Sequence, residues 1–190
     1  TKYQVLDDLP PMTMEDLLDV TDQMMAYLRG DRADLHVMTV MGGQEREFFN
    51  AREIAHMEDV RGLFLAAISI RRICLLLCAA VLLFMAVSKA DFKRVLPPSL
   101  CLGTGLFFGV IAALTAVIST DFTKYFIMFH HIFFNNDLWI LDPATDMLIN
   151  IVPEGFFMDT AGRIAFTFGS LSLILFAVCL TLTIKNKRRP

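Results

Sequence analysis

Charge is scarce in this chain. Asp, Glu, Lys and Arg make up 19% of its 190 residues, against about a quarter in an ordinary soluble domain. With 55% hydrophobic residues and a mean hydropathy of +0.55, the chain is too apolar for a free-standing globule in water. Also missing are the patterns that carry the commoner chemistries. There is no phosphate-cradling glycine loop, no nucleotide fingerprint and no basic patch for nucleic acid. A G-x-S-x-G elbow is absent and the serines lie within or at the ends of apolar runs, so a serine nucleophile is not expected. No H-E-x-x-H or comparable ligand spacing occurs, and no metal is expected even though His56, His130 and a carboxylate are available. The four cysteines, Cys74, Cys78, Cys101 and Cys179, all fall in apolar runs that disfavour a thiolate. Cys74 and Cys78 lie one turn apart on a single helix, a poor bridging geometry, so all four read as packing residues. The apolar runs hold almost no acids, which argues against an ion pump or a proton-coupled transporter.

What is present is length of apolar helix. Three runs reach the roughly 20 residues that cross a hydrocarbon core, over 70–88, 100–119 and 164–184. Gly103, Gly105 and Gly109 in the second, and Gly169, Ser170 and Ser172 in the third, predict smooth surfaces for close helix packing. The short link between the first two predicts an antiparallel hairpin. The expected fold class is an all-α integral membrane protein, a helical bundle with a small cap that includes short strands.

Orientation follows from the basic residues. The link 89–99 carries Lys89, Lys93 and Arg94 against Asp91, and the tail 185–190 carries Lys185, Lys187, Arg188 and Arg189 with no acid. Both are expected on the cytoplasmic side. Residues 1–68 carry six Lys and Arg against thirteen acids, and 120–163 carry two against six; both are expected outside. Residues 1–68 contain no span and no signal peptide, so a further N-terminal span is expected upstream, about four in all.

Within 1–68, Thr13 followed by Asp16 predicts a helix N-terminus, and Gly30 its C-cap. The β-branched stretch before Gly42-Gly43 predicts a short strand or hairpin arm. A helix restarting near Asn50 is expected to run into the first span, with Arg71 and Arg72 snorkelling near the boundary. The stretch 120–163 is too apolar for a free loop, yet Asn135, Asn136, Asp137, Asp142, Pro143 and Pro153 interrupt it too often for a span. With Trp139 among them, these residues predict a structure lying in the membrane interface, with helical turns around His130. Asp159 and Arg163 have the spacing of a helical ion pair.

Three histidines then stand at the outer level, His56, His130 and His131, while His36 falls in the expected strand. Glu53 and Asp59 share a helix face with His56, and Asn135 and Asp137 follow His130 closely. The bland reading is two interfacial histidines that cap or anchor. The sharper one is a pair of imidazoles moving protons near pH 7 beside an acyl group, with direct transfer instead of a covalent acyl-enzyme.

The strings YLRGDRADL, REIAHMEDVRGLF and FHHIFFNNDLWILDPATDMLINIVPEGFF resemble a family of small Firmicute membrane proteins, the lipoprotein intramolecular transacylases. The resemblance covers nearly the whole chain. It implies four spans and an outer-facing site in a bacterial plasma membrane. It also implies movement of the sn-2 acyl chain of an S-diacylglyceryl cysteine to the α-amino group of that cysteine. The partners are then a diacylglyceryl lipoprotein and membrane lipids, with no cofactor. The family's two functional histidines fall in E-x-x-H-M-x-D-V and F-H-x-I-F-F, which are His56 and His130 here; His131 takes no role. His56 is expected as base, with Glu53 or Asp59 orienting it, and His130 as its partner. Within the matching strings, Arg61, Phe133, Phe134, Asn135, Asp137, Trp139 and Asp142 are further candidates for binding or orienting substrate. A non-catalytic lipoprotein-binding cap and a lipid hydrolase using the same histidines are the alternatives.

Overall fold

A computed structural model describes residues 5–7 and 9–187. Arg188 and Arg189 of the expected basic tail, and residues 1–4 and 8 of the expected cap, lie outside the described residues. The order is α1 (Met14–Arg29), β1 (Met38–Met41), β2 (Gln44–Glu47), α2 (Ala51–Val87), α3 (Phe92–Ile118), α4 (Phe122–Phe133), α5 (Met147–Ile151) and α6 (Glu154–Lys187). The chain divides into two compact units, one of residues 1–73 and 126–157, the other of residues 74–125 and 158–190.

In the first unit the local signals act as expected. Thr13 and Asp16 close a reciprocal capping box at the start of α1, and Gly30 ends it at φ 85°. Gly30 also has the Leu65 side chain 3.1 Å from where a Cβ would stand, so the conformation favours glycine and any larger residue would have to shift Leu65 slightly. Gly42 and Gly43, at φ 61° and 77°, make the two-residue turn of the β1–β2 hairpin, which pairs Met38 with Glu47 and Met41 with Gln44. Beneath it lies a core in which Val20, Leu35, Val37 and Phe49 are at most 1% exposed. Burying such a side chain stabilises by about 1.5–3 kcal/mol, against about 0.5–2 kcal/mol for a helix cap. Packing therefore sets this unit, and the caps trim its ends.

The second unit is built differently. Helices α2, α3 and α6 are each long and apolar enough to cross a membrane, and their large side chains point outward, as the helices of a membrane protein do. Its buried residues, among those described, are Met85, Pro97 and Cys179. Ser88, Ser99, Thr104, Thr181 and Thr183 each donate to the carbonyl four residues earlier, so no hydroxyl among these faces hydrocarbon unpaired.

Two helix starts lie earlier than the apolar runs of the sequence. The link over 89–99 shrinks, because α2 runs to Val87 and α3 starts at Phe92. Lys89 takes the left-handed conformation at φ 53°, and its N–H and that of Ala90 bond back to Ala86 and Met85. Asp91 then caps α3 by accepting from the N–H groups of Lys93 and Arg94. Pro97 and Pro98 consequently lie inside α3, where a proline ordinarily costs about 3 kcal/mol. The carbonyl that Pro97 leaves without its helical partner, that of Lys93, accepts instead from the Asn186 side chain. The third run extends back to Glu154, since a spanning stretch is only the apolar part of its helix. Of the glycines expected to give close packing, Gly105 is the tightest, since a Cβ there would come 3.0 Å from the Phe176 ring; one at Gly169 would stand 3.9 Å from Phe108, whereas Gly103 and Gly109 face open space.

Candidate functional site

The site lies in the first unit, on the turns of α2 that precede its apolar run. Asn50 starts the helix: its side chain accepts from the N–H groups of Arg52 and Glu53, and the Glu53 carboxylate accepts from the Asn50 N–H at 2.7 Å. This is a capping box of the Asn-x-x-Glu form. The second Glu53 oxygen accepts from the Leu148 N–H at 2.5 Å. The Asn50 amide donates to buried Asp146 at 2.7 Å, whose other oxygen accepts from the Asp142 N–H. One buried network thus fastens the start of α2 to the segment that follows α4. Burial raises the Glu53 carboxyl above its ordinary value; the Asn50 and Leu148 N–H groups oppose this, and nearby Asp146 adds to it.

His56 sits one turn beyond Glu53, and His130 comes from the last turn of α4. Their ring centres are 6.2 Å apart at 33°, and both residues are buried. Phe134 packs edge-on against His56 at 5.3 Å and lies 5.6 Å from His130. His130 Nδ1 is 2.7 Å from the Phe126 carbonyl. A carbonyl only accepts, so Nδ1 carries the proton and Nε2 the lone pair. Among the described residues, nothing hydrogen-bonds His56 Nδ1, a buried atom. Burial, then the adjacent His130, push His56 down to about 4. Burial also lowers His130, opposed by its bond to Phe126. Both imidazoles are neutral at pH 7.

The other candidates separate into those at the pair and those away from it. Trp139 stacks on His130 at 4.8 Å and 29°, and its indole N–H donates to the Asn136 carbonyl. Asp59 accepts from the Asn136 amide at 2.8 Å. Three candidates have partners other than the histidine pair. Glu53 does not orient His56, because both its oxygens are taken by backbone N–H groups; a partner three residues away shares a face without being aimed at the ring. Arg61 reaches away, donating to the carbonyls of Arg32 and Ala33 and lying over the Tyr27 ring at 4.6 Å. Phe133 is exposed and packs on Phe129 instead of either histidine. Asn135 is exposed, Asp137 pairs with Arg52, and Asp142 serves the turn before α5.

Sequence reasoning passed over Asn50, Arg52, Asn136, Asp146 and Leu148. The Asn50-x-x-Glu53 box was legible as a helix start. The others hold their places through contacts 77 to 96 residues distant in sequence, for which no local signal exists. Among the described residues, no group of three or more His, Cys, Asp or Glu side chains is placed to hold a metal ion.

Helices long and apolar enough to span, with two buried imidazoles brought together, one of them on the turns before such a run, define a membrane-integral protein. Residues 1–157 match the family model described as lipoprotein intramolecular transacylase Lit. The chain belongs to that family. A comparison with curated proteins gives no match. Among solved structures it is similar to the membrane integral lipoprotein intramolecular transacylase Lit from Bacillus cereus, with a TM-score of 0.77 at 22% identity, over 97% of this chain and 80% of that one. Two single-histidine variants of the same Bacillus cereus protein are also similar, each with a TM-score of 0.69. The arginine variant is 22% identical over 96% of this chain and 76% of its own. The alanine variant is 21% identical over 97% and 78%.

Proposed function

We propose that this protein moves the sn-2 acyl chain of an S-diacylglyceryl cysteine to the free α-amino group of the same cysteine, giving a lyso-form lipoprotein. The observation that carries this reading is the His56–His130 pair, buried, neutral and 6.2 Å apart, in a chain of the transacylase family. The amine nitrogen attacks the ester carbonyl carbon, an N–C bond forms, and the bond from that carbon to the sn-2 oxygen breaks. The proton leaving nitrogen passes to an imidazole, and the sn-2 alkoxide takes one up to end as a hydroxyl. Both reactants belong to one molecule, so proximity supplies much of the rate and no acyl-enzyme or cofactor is needed.

The hydrogen bonds support a division of labour opposite to the one expected from the sequence. His130, with Nδ1–H held by Phe126, offers its Nε2 lone pair as base. An N–H at the unpartnered Nδ1 of His56 would be a buried orphan donor costing about 1–3 kcal/mol. The proton therefore rests on His56 Nε2, which donates to the oxyanion and then to the leaving oxygen. Phe134 and Trp139 wall the pair, and the remaining loop residues Asn135, Asp137 and Asp142 shape its surroundings. The basic residues near α3 and the C-terminus support a site on the extracellular face of a bacterial plasma membrane.

The test is to incubate the purified protein with a synthetic diacylglyceryl lipopeptide and read the product by mass spectrometry. Transfer gives an N-acylated, S-monoacylated peptide of unchanged mass and altered fragmentation. Release of free fatty acid would instead identify a hydrolase, and an unchanged substrate a non-catalytic binding protein.

A further inference from the structure

The His130 ring is held on one side by its own helix, through Nδ1 and the Phe126 carbonyl. What holds the other side is a chain of contacts that begins on α2. Asp59, one turn past His56, accepts from the Asn136 amide at 2.8 Å. The Asn136 side-chain oxygen accepts from the Leu138 N–H at 3.1 Å, closing a local turn. Its main-chain carbonyl accepts from the Trp139 indole N–H at 3.0 Å. The indole then lies on the His130 imidazole, with ring centres 4.8 Å apart and planes 29° from parallel.

We infer that Asn136 is a positioning residue: held by Asp59, it fixes the Trp139 indole against His130 and so sets the angle that His130 presents to His56. The physical case rests on how each group is constrained. A histidine with one hydrogen bond at Nδ1 still turns about χ2, which is a broad torsion. A flat partner on its face removes that freedom, and an indole with its N–H satisfied is itself fixed in tilt. Because Asp59 and His56 stand on one helix, the clamp refers the position of His130 to the helix that carries the other imidazole. Asp59 therefore acts on His130 through three contacts, in place of the direct bond to His56 that its sequence spacing suggests. The inference rests on the transfer reading for its catalytic consequence, but the geometry of the clamp is measurable without substrate.

Trp139 is the single tryptophan of the chain, so all tryptophan fluorescence comes from the indole of this contact. A protonated imidazole stacked on an indole quenches it. His131 meets the edge of the same indole at 5.2 Å, so every fluorescence sample carries His131→Gln. In that background, acidification is expected to quench emission, and adding His130→Gln to abolish the quench. Asn136→Ala and Asn136→Asp are expected to lose the acid quench and red-shift the emission. Their kcat for acyl migration should fall about 10- to 100-fold, the scale of a small misplacement of a catalytic group, with KM little changed. The exchange variant, Asp59→Asn with Asn136→Asp, rebuilds the bond with donor and acceptor reversed and is expected to recover both quench and kcat. Such a recovery separates positioning from general loss of fold.

An acid quench that survives Asn136→Ala, or an exchange variant as impaired as Asn136→Asp alone, overturns the clamp. If the fluorescence behaves as expected while the unsubstituted protein leaves the lipopeptide unchanged, the transfer reading fails and the clamp stands.

Discussion

In the first unit Val37, Leu35 and Phe49 are at most 1% exposed, whereas in the second Leu76, Phe84 and Phe166 each keep more than 70% of their surface open. Polar groups differ in the same sense. Those of the first unit reach across the sequence, as Glu53 does to Leu148 and Asn50 to Asp146. Those of the second mostly close on their own helix, one turn back, while Asn186 reaches to Lys93 at long range. The difference lies in the solvent each unit answers to. Water rewards apolar burial, so the first unit closes a core of large side chains and holds its buried polar groups in a network. Hydrocarbon gives no such drive but penalises any unsatisfied polar group, so the second satisfies its hydroxyls locally and leaves its leucines outward. A site needing neutral, desolvated imidazoles can be assembled from long-range contacts only in the first unit.

The largest expected effect tests where the chemistry resides. His56→Ala and His130→Ala should each lower the acyl-migration rate by about 10²–10⁴-fold, the usual contribution of a general acid or base. Replacing Cys74, Cys78 or Cys101 by Ser should leave it nearly unchanged. Mass spectrometry of the lipopeptide product decides, and a cysteine variant as inactive as the histidine variants would move the site into the second unit.

Next comes a matched pair of exposed leucines. Leu76 and Leu18 are 71% and 57% exposed, yet they should respond oppositely to charge. Leu76→Arg places a guanidinium in a spanning run at a cost of about 2.5–3.5 kcal/mol, visible as reduced membrane insertion. Leu18→Lys should change stability by less than about 0.5 kcal/mol. Equal tolerance at both positions would contradict the two-solvent account.

Glu53→Ala removes a buried acceptor from the Asn50 and Leu148 N–H groups. It should lower the melting temperature by the equivalent of about 1–3 kcal/mol, with Glu53→Gln milder. If Glu53→Ala melts like the unsubstituted protein, the network does not secure the loop to α2.

The smallest effect is one of pH. His56 is held down at about 4 in the folded state against 6.5 when unfolded. Its contribution to stability is complete above pH 6.5 and is lost as pH falls towards 4, where the unfolded chain takes the proton that the folded one refuses. Glu53, raised when folded, works in the other direction, favouring the fold at low pH and losing that advantage as pH rises through its folded value. Thermal melts between pH 7 and 4 should fall more steeply for the unsubstituted protein than for His56→Gln. Parallel curves would show that His56 is not desolvated.

Much of this was legible in the residues. The Thr13–Asp16 box, the Gly30 stop, the hairpin before Gly42-Gly43 and the three apolar runs are local signals, each complete within a few residues. The two histidines were legible as a pair only through the strings around them, since 74 residues separate them. The tie between Asp59 and Asn136 was not legible, nor was the commitment of Glu53 to Leu148. Both depend on how the segment after α4 meets α2. The start of α3 was not legible for a different reason: Pro97-Pro98 is a strong breaker, and the Asn186 side chain that makes it tolerable lies 93 residues beyond Lys93, whose carbonyl it satisfies.

The sequence by itself determined the solvent of each part, because hydropathy and helix length depend on composition over some 20 residues and on nothing remote. It also determined the caps and turns, whose hydrogen bonds close within four residues. Only the tertiary structure decided what each polar side chain of the site is for. Glu53, Asp59 and Arg61 share one helix and similar spacing from His56, yet one fastens the loop, one holds the Trp139 clamp and one faces the cap. Side-chain hydrogen bonds act over about 3 Å, and which group stands at that distance is settled by packing, not by spacing along the chain.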